Sequence, residues 1–424
     1  MKKIFIALLP LAVLASSCGS VRKGTQVKEV TPVVVMDKDS LTMISSVEPS
    51  CCKSGACHGA DVVKSGLGFD VLSRLAESSK ENIVFSPVSL EFALGMTADG
   101  AAGQTLSEMA SVLGLKTDGL TDAQIRDLIR SKYSKLASAL ESSDSSVVME
   151  NANSVWTDKN FPIKESFVAS VQDGFGAEAR SVDFSSARAA REINSWCSDK
   201  THGKIDNVVR ETRGWKTALV NAVYFDAEWS MPFEKTSKGE FTSIDGEKSE
   251  HTFLKKRDYM SYAECSDYQM VELPYGMEGN FVMDVILPRE GREVAIDGNA
   301  YSALCAKLDE VKVNFLMPEF RIESQSELVP VLASLGMSKA FTAEAEFPLI
   351  SDAALMIDRI LQKTYIDVTK DGTQAAAVTV VGIRLTSMRP DNDPVIDFIA
   401  DRPFLFVIRE KSSSEILFIG RKLR

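Results

Sequence analysis

Residues 363–390 read K-T-Y-I-D-V-T-K-D-G-T-Q-A-A-A-V-T-V-V-G-I-R-L-T-S-M-R-P. Asp371-Gly372 is a turn signal between two β-prone runs, so the stretch predicts a hairpin. Its second arm, Ala375 to Ile383, is uncharged and rich in small or β-branched residues. Left exposed, such an arm pairs with any open strand edge. The R-P-D-N-D-P that follows at Arg389 to Pro394 has the composition of an exposed turn. A plain hairpin therefore accounts for the first arm only. The second lacks the large residues that a core-facing strand carries at alternate positions.

Working outward, the chain closes with P-F-L-F-V-I-R-E and E-I-L-F-I-G-R-K-L around K-S-S-S, a hairpin of buried strands. Upstream lie T-A-L-V-N-A-V-Y-F, Y-Q-M-V-E-L-P-Y, F-V-M-D-V-I-L-P and V-K-V-N-F-L-M-P-E-F, all strand-like. The earlier part is helical. Periodicity begins at Phe69, Leu72 and Leu75, and a short N-I-V-F run precedes a helix opened by Pro87. Leu90, Ala93, Leu94 and Thr97 fall on one face of that helix, and Gly100 and Gly103 are expected to end it. Thr105 with Glu108 three places on reads as a capping box for the next helix. Helices dominate residues 120–200 apart from the strand-like S-V-V-M-E-N-A-N-S-V-W. Helices first and strands later predict one α+β domain over residues 63–424.

The 424 residues carry a net charge of −11, which argues against nucleic acid as a partner. Only three histidines occur, His58, His202 and His251. No H-E-x-x-H, G-x-S-x-G or G-x-x-x-x-G-K is present. Asp391 and Asp393 sit in turn composition rather than in a general acid/base setting, and His202 lies in a turn-like T-H-G-K. The chain is not read as an enzyme, and no cofactor is expected.

At the amino end, Lys2 and Lys3 precede an apolar run from Ile4 to Leu14, and Ala15, Ser16 and Ser17 lead into Cys18. Residues 1–17 thus read as an export signal of lipoprotein type, with Cys18 as the lipid-bearing first residue of the mature chain. An ordinary cleaved signal is the alternative. Residues 18–62 form a polar tether containing Cys51, Cys52, Cys57 and His58. Four soft ligands this close would suit zinc or copper, whereas an exported chain more often pairs such thiols or leaves them reactive. Cys197, Cys265 and Cys305 stand alone in apolar contexts and are read as small hydrophobes.

The run K-D-G-T-Q-A-A-A-V-T resembles the reactive-loop hinge of the serpins. Further matches are F-S-P-V-S (Phe85 to Ser89), L-V-N-A-V-Y-F with Trp229 following, V-E-L-P-Y, L-M-P-E-F-R-I-E, L-G-M-S-K-A-F, R-P-F-L-F-V-I-R and F-I-G-R, in the family's order over about residues 65–424. The resemblance implies a serpin fold: large mixed and antiparallel sheets, a helical amino-terminal part and an exposed reactive loop at about 370–394. It implies a suicide inhibitor of an extracytoplasmic protease, which traps its target when the cleaved loop enters a sheet as an added strand. Lys370, Gly372, Thr373, Gln374, Ala375, Ala376 and Ala377 match the hinge, with Gly372 as pivot and Thr373, Ala375, Ala377, Thr379 and Val381 pointing inward. A loop of the family's usual length places the scissile bond between Thr386 and Ser387. Threonine there suits elastase-like or subtilisin-like enzymes. Arg384-Leu385 is the alternative for a trypsin-like one, and Leu385 before Thr386 would suit a papain-like one.

Ser89, Asn221, Trp229, Glu319 and Gln362 fall at positions that control the family's main sheet. Lys370 and Glu319 reverse the usual charges, so an exchanged ion pair is expected. Gln362 stands where many members carry histidine, so that residue's pH response should be absent. The resemblance further implies a monomer whose partner is a protease, tied by its lipid to the cell envelope or else secreted. A non-inhibitory carrier or chaperone is the alternative within the family; a binding module built on the Cys51–His58 cluster is an alternative outside it.

Overall fold

Ser86 has extended backbone and its hydroxyl accepts the Ser89 N–H, which starts a helix with proline at its first position. That helix, α2 (Pro87–Ala98), is buried on every side rather than on one face. The computed structural model describes residues 66–77, 79–373 and 393–424. Outside the described residues lie the signal segment, Cys18, the Cys51, Cys52, Cys57 and His58 cluster, Gln374 to Ala377, and the candidate bonds at Arg384, Leu385, Thr386 and Ser387.

Around α2 stand α1 (Gly66–Glu77), α3 (Gly103–Val112), α4 (Asp122–Ser143), α5 (Glu165–Phe175), α6 (Ala187–Lys200), α7 (Gly298–Cys305) and α8 (Val329–Ser334). The expected box at Thr105 does not form. Gly103 begins α3 instead of ending its predecessor, so Thr105 lies inside the first turn, where its hydroxyl accepts the Glu346 N–H. Glu108 reaches across to the Ser338 and Lys339 N–H groups, and these hydrogen bonds hold its carboxyl below its usual value against the opposing effect of burial.

The strands are β1 (Ile83–Phe85), β2 (Val148–Asp158), β3 (Glu178–Val182), β4 (Thr217–Glu228), β5 (Lys235–Thr242), β6 (Lys248–Glu264), β7 (Tyr268–Tyr275), β8 (Phe281–Pro288), β9 (Asp309–Pro318), β10 (Phe320–Glu327), β11 (Arg359–Val368), β12 (Gly372–Thr373), β13 (Val395–Ile399), β14 (Phe404–Glu410) and β15 (Ile416–Lys422). One sheet has nine strands in the order β1-β15-β14-β8-β7-β6-β9-β13, with β5 on β6. The other has six, in the order β10-β11-β12-β4-β2-β3. The α+β expectation is met, and the closing hairpin β14–β15 forms as read.

β4 is apolar on both faces because both are covered. Leu219, Val223, Phe225 and Ala227 join the large core shared with α2. Ala218, Val220 and Ala222 join a smaller core with Trp156, Ile193 and Trp196, the last two on α6. Cys197 is buried there, and burial pushes its thiol up to about 12, so it stays protonated and packs as a hydrophobe. Among the described residues no helix is long and apolar enough to cross a membrane.

Candidate functional site

The centre of the six-stranded sheet is a seam. β4 and β11 run parallel and pair from Arg359 opposite Ala218 to Thr364 opposite Val223. Beyond that point they part, and the two residues of β12 fill the mouth. Thr373 pairs with Val368 on one side and Ala227 on the other, while Gly372 pairs with Glu228. Both pairings of β12 are antiparallel, as the turn at Asp371-Gly372 requires.

Glycine is dictated at 372 by space. A methyl there would lie 2.1 Å from the Ala227 carbonyl oxygen and 2.7 Å from Glu228 Cα, far inside contact distance. The turn is tied by Thr369 N–H to the Gly372 carbonyl at 2.8 Å. Trp229 and Phe233 hold it from outside: their N–H groups donate to Asp371 and Lys370 carbonyls, both at 3.0 Å. The Trp229 indole N–H donates to the Thr369 carbonyl at 2.9 Å, and its ring stacks on Tyr275 with centroids 4.2 Å apart. Thr373 is fully buried and shares a hydrogen bond with the Tyr275 hydroxyl. Burial pushes the Tyr275 phenol far above its ordinary value, so it remains protonated.

Glu319 and Lys370 do meet, but not as an ion pair. Glu319 accepts the Lys370 backbone N–H at 3.0 Å, while the Lys370 ammonium pairs with Asp371 at 2.8 Å. The nearer carboxylate wins because it costs the lysine side chain less ordering.

At the paired end of the seam, Gln362 sits opposite Asn221. The Gln362 amide accepts the Ser86 N–H at 2.7 Å and donates to the Ser86 carbonyl at 3.0 Å, joining β11 to the start of α2 as one strand joins another. Asn221 donates to Asn153 of β2 at 2.5 Å. Asn221 Oδ1 and the Ser89 hydroxyl, both fully buried, have no hydrogen-bond partner among the described residues. Sequence reasoning missed Asn153, although asparagine inside S-V-V-M-E-N-A-N-S-V-W was a visible irregularity. It also missed Tyr275 and the role of Ser86, which lay within motifs read only as strand or helix start.

The connection after α6 crosses the outer face of the seam. The Lys363 ammonium donates to the Asn207 carbonyl at 3.0 Å, and the Gln325 amide to the Val208 carbonyl at 2.8 Å. On the β4 side His202, exposed, packs edge-on against Tyr224 and lies 3.0 Å from Glu150. The connection thus contacts strands on both sides of the joint. Among the described residues no group of three or more His, Cys, Asp or Glu side chains is arranged to hold a metal.

A family model described as serpin (serine protease inhibitor) matches residues 63–424. An uncharacterised serpin-like protein of Thermococcus kodakarensis is 32% identical over 364 residues, covering 84% of this chain and 83% of its own. The leukocyte elastase inhibitor of Sus scrofa is 32% identical over 374 residues, covering 83% of this chain and 96% of its own. Among solved structures, the thermophilic serpin Tengpin in its native state superposes with a TM-score of 0.75 at 28% identity, covering 88% of this chain and 96% of its own.

Proposed function

Since the chain belongs to the serpin family, we propose that it is a suicide inhibitor of an extracytoplasmic protease that works by strand insertion. The observation that carries this reading is the position of Gly372-Thr373. The first two residues of the small-residue hinge already occupy the mouth of a seam whose strands pair directly below them. The residues that follow, Gln374 to Ala377, have the size needed to advance between β4 and β11. The target's nucleophile attacks the Thr386 carbonyl, expels the Ser387 amine and forms an acyl-enzyme. Insertion then carries the acylated protease away before water can release it. The inhibitor supplies a substrate bond and stored folding energy, and no catalytic group of its own.

Elastase-like or subtilisin-like enzymes fit a bond after Thr386, trypsin-like ones a bond after Arg384, and Leu385 preceding Thr386 suits papain-like ones. The amino-terminal signal and Cys18 support export and lipid attachment to the cell envelope. Incubation with a panel of these proteases, read on denaturing gels and by mass spectrometry of the released peptide, tests the proposal. A covalent complex with cleavage after Thr386 or Arg384 is expected. Cleavage by every enzyme of the panel with no covalent product would refute it.

A further inference from the structure

Glu91 is the one ionisable residue of α2, a helix otherwise apolar or neutral and enclosed on every side. It is only 5% exposed. Burying a carboxylate is costly unless its lone pairs are matched. Glu91 Oε2 takes the Lys132 ammonium at 3.0 Å and the Tyr133 hydroxyl at 3.2 Å. Oε1 accepts nothing from the described residues.

Glu91 borders a cavity of about 360 Å³ between α1, α3, α4 and the turn from β14 to β15. That volume is at the small end of the range for ligand sites. Glu415, also buried, lines it from the turn, and the exposed Asp70 of α1 stands at its rim. Lys132 is the one cation in the lining, so three carboxylates share the cavity with one ammonium. The carboxyl end of α3, Ser111 to Gly114, forms another wall and adds the partial negative charge of its carbonyls. Leu67, Val112, Leu113 and Leu335 supply the apolar surface.

The charge balance selects a cation, and the apolar wall selects a body to carry it. A bare metal ion does not fit, since among the described residues no three acidic, thiol or imidazole groups are arranged as ligands. We propose that this cavity binds a small organic cation, an ammonium or guanidinium on a short apolar body, with its charged head on Glu91 Oε1. The inhibitory mechanism uses none of these residues, so failure of this site leaves that reading untouched.

The test is isothermal titration calorimetry on the full chain with three probes of similar shape. Phenethylamine is cationic, 2-phenylethanol neutral and phenylacetate anionic at neutral pH. Wild type is compared with Glu91→Gln, which keeps the shape and removes the charge, and with Asp70→Asn at the exposed rim. Phenethylamine should bind at least about tenfold more tightly than the alcohol, and phenylacetate should give no binding. Glu91→Gln should weaken the amine by about tenfold or more and leave the alcohol unchanged. Asp70→Asn should weaken the amine roughly twofold at low salt, an effect that high salt erases.

Equal affinity for amine and alcohol would make the cavity a plain apolar pocket and overturn the proposal. Amine binding that Glu91→Gln leaves untouched would overturn it too, as would the absence of amine binding at millimolar concentration. Should Glu91→Gln fail to fold, Asp70→Asn decides: an amine affinity that it leaves unchanged at low salt refutes the site.

Discussion

Thr373 and Tyr275 share a hydrogen bond inside the sheet, although Thr373 directly follows the Asp371-Gly372 turn and leads into the segment proposed as the reactive loop. The contact shows how the chain's most consequential side chain is held. It is fully buried, roofed by a tyrosine that is itself stacked on Trp229, and flanked by strands on both sides.

Thr373→Arg therefore cannot be housed. Burying an unpaired guanidinium costs several kcal/mol, so the hinge residue stays outside and the seam receives no strand. The variant should be cleaved by a target protease without trapping it. The number of inhibitor molecules consumed per enzyme inactivated, measured by titration, is expected to rise at least about tenfold, since a penalty of 1.4 kcal/mol on insertion already gives that factor.

Gly372→Ala tests the fit from the backbone side. The added methyl collides with the carbonyl of Ala227, which is itself paired with Thr373, so relief disturbs the pairing of β12 with β4. Destabilisation of the intact protein by about 1–3 kcal/mol is expected from chemical denaturation. A neutral outcome would mean that β12 does not sit between its strands.

Gln362→Ala removes two buried hydrogen bonds to Ser86 at once and leaves the Ser86 N–H unmatched, while the Ser86 carbonyl keeps the Leu90 N–H. A loss of about 1–3 kcal/mol is expected. Because the link ties β11 to α2, the variant should also insert faster, read as a shorter time for the nicked protein to reach its final fluorescence.

Glu319 and Lys370 should show almost no side-chain coupling in a double-mutant cycle, because the Lys370 ammonium is directed to Asp371. Glu319→Ala alone should cost no more than about 1 kcal/mol, the net worth of one exposed hydrogen bond whose Lys370 N–H then turns to water. A coupling above that size would restore the exchanged ion pair.

Lys422 supplies a pH response unrelated to the seam. Burial lowers its ammonium to about 8 from the ordinary 10.5, so the unfolded chain holds the proton more tightly. This residue's contribution to stability should rise as pH climbs from about 8 toward 10.5 and be flat below. Lys422→Met should remove that slope, as compared by denaturation at pH 7.5 and at pH 10.

How much of this could be read from residues alone divides along sequence distance. The turn at Asp371-Gly372 and the closing hairpin were legible because turn chemistry is local. The depth of α2 was not, since a helix enclosed by both sheets and other helices has no polar face to betray which side is buried. The insertion of β12 between β4 and β11 joins residues far apart in the chain, and no propensity encodes such a pairing. The resemblance of K-D-G-T-Q-A-A-A-V-T to a known hinge put residues 370–394 in an exposed loop, whereas Gly372 and Thr373 are already paired in the sheet, where the glycine lets the chain approach Ala227 and Tyr275 takes the threonine hydroxyl. That same resemblance misled at Lys370, where a neighbouring aspartate outcompeted the distant glutamate.

The central claim is that the loop gains stability by joining the sheet once it is cut. Thermal unfolding before and after a single nick between Gln374 and Pro390 measures this directly. The account predicts a transition moved far up in temperature, and a protease complex that survives boiling in detergent. An unchanged or lowered transition after that nick, with free active protease recovered, would contradict it.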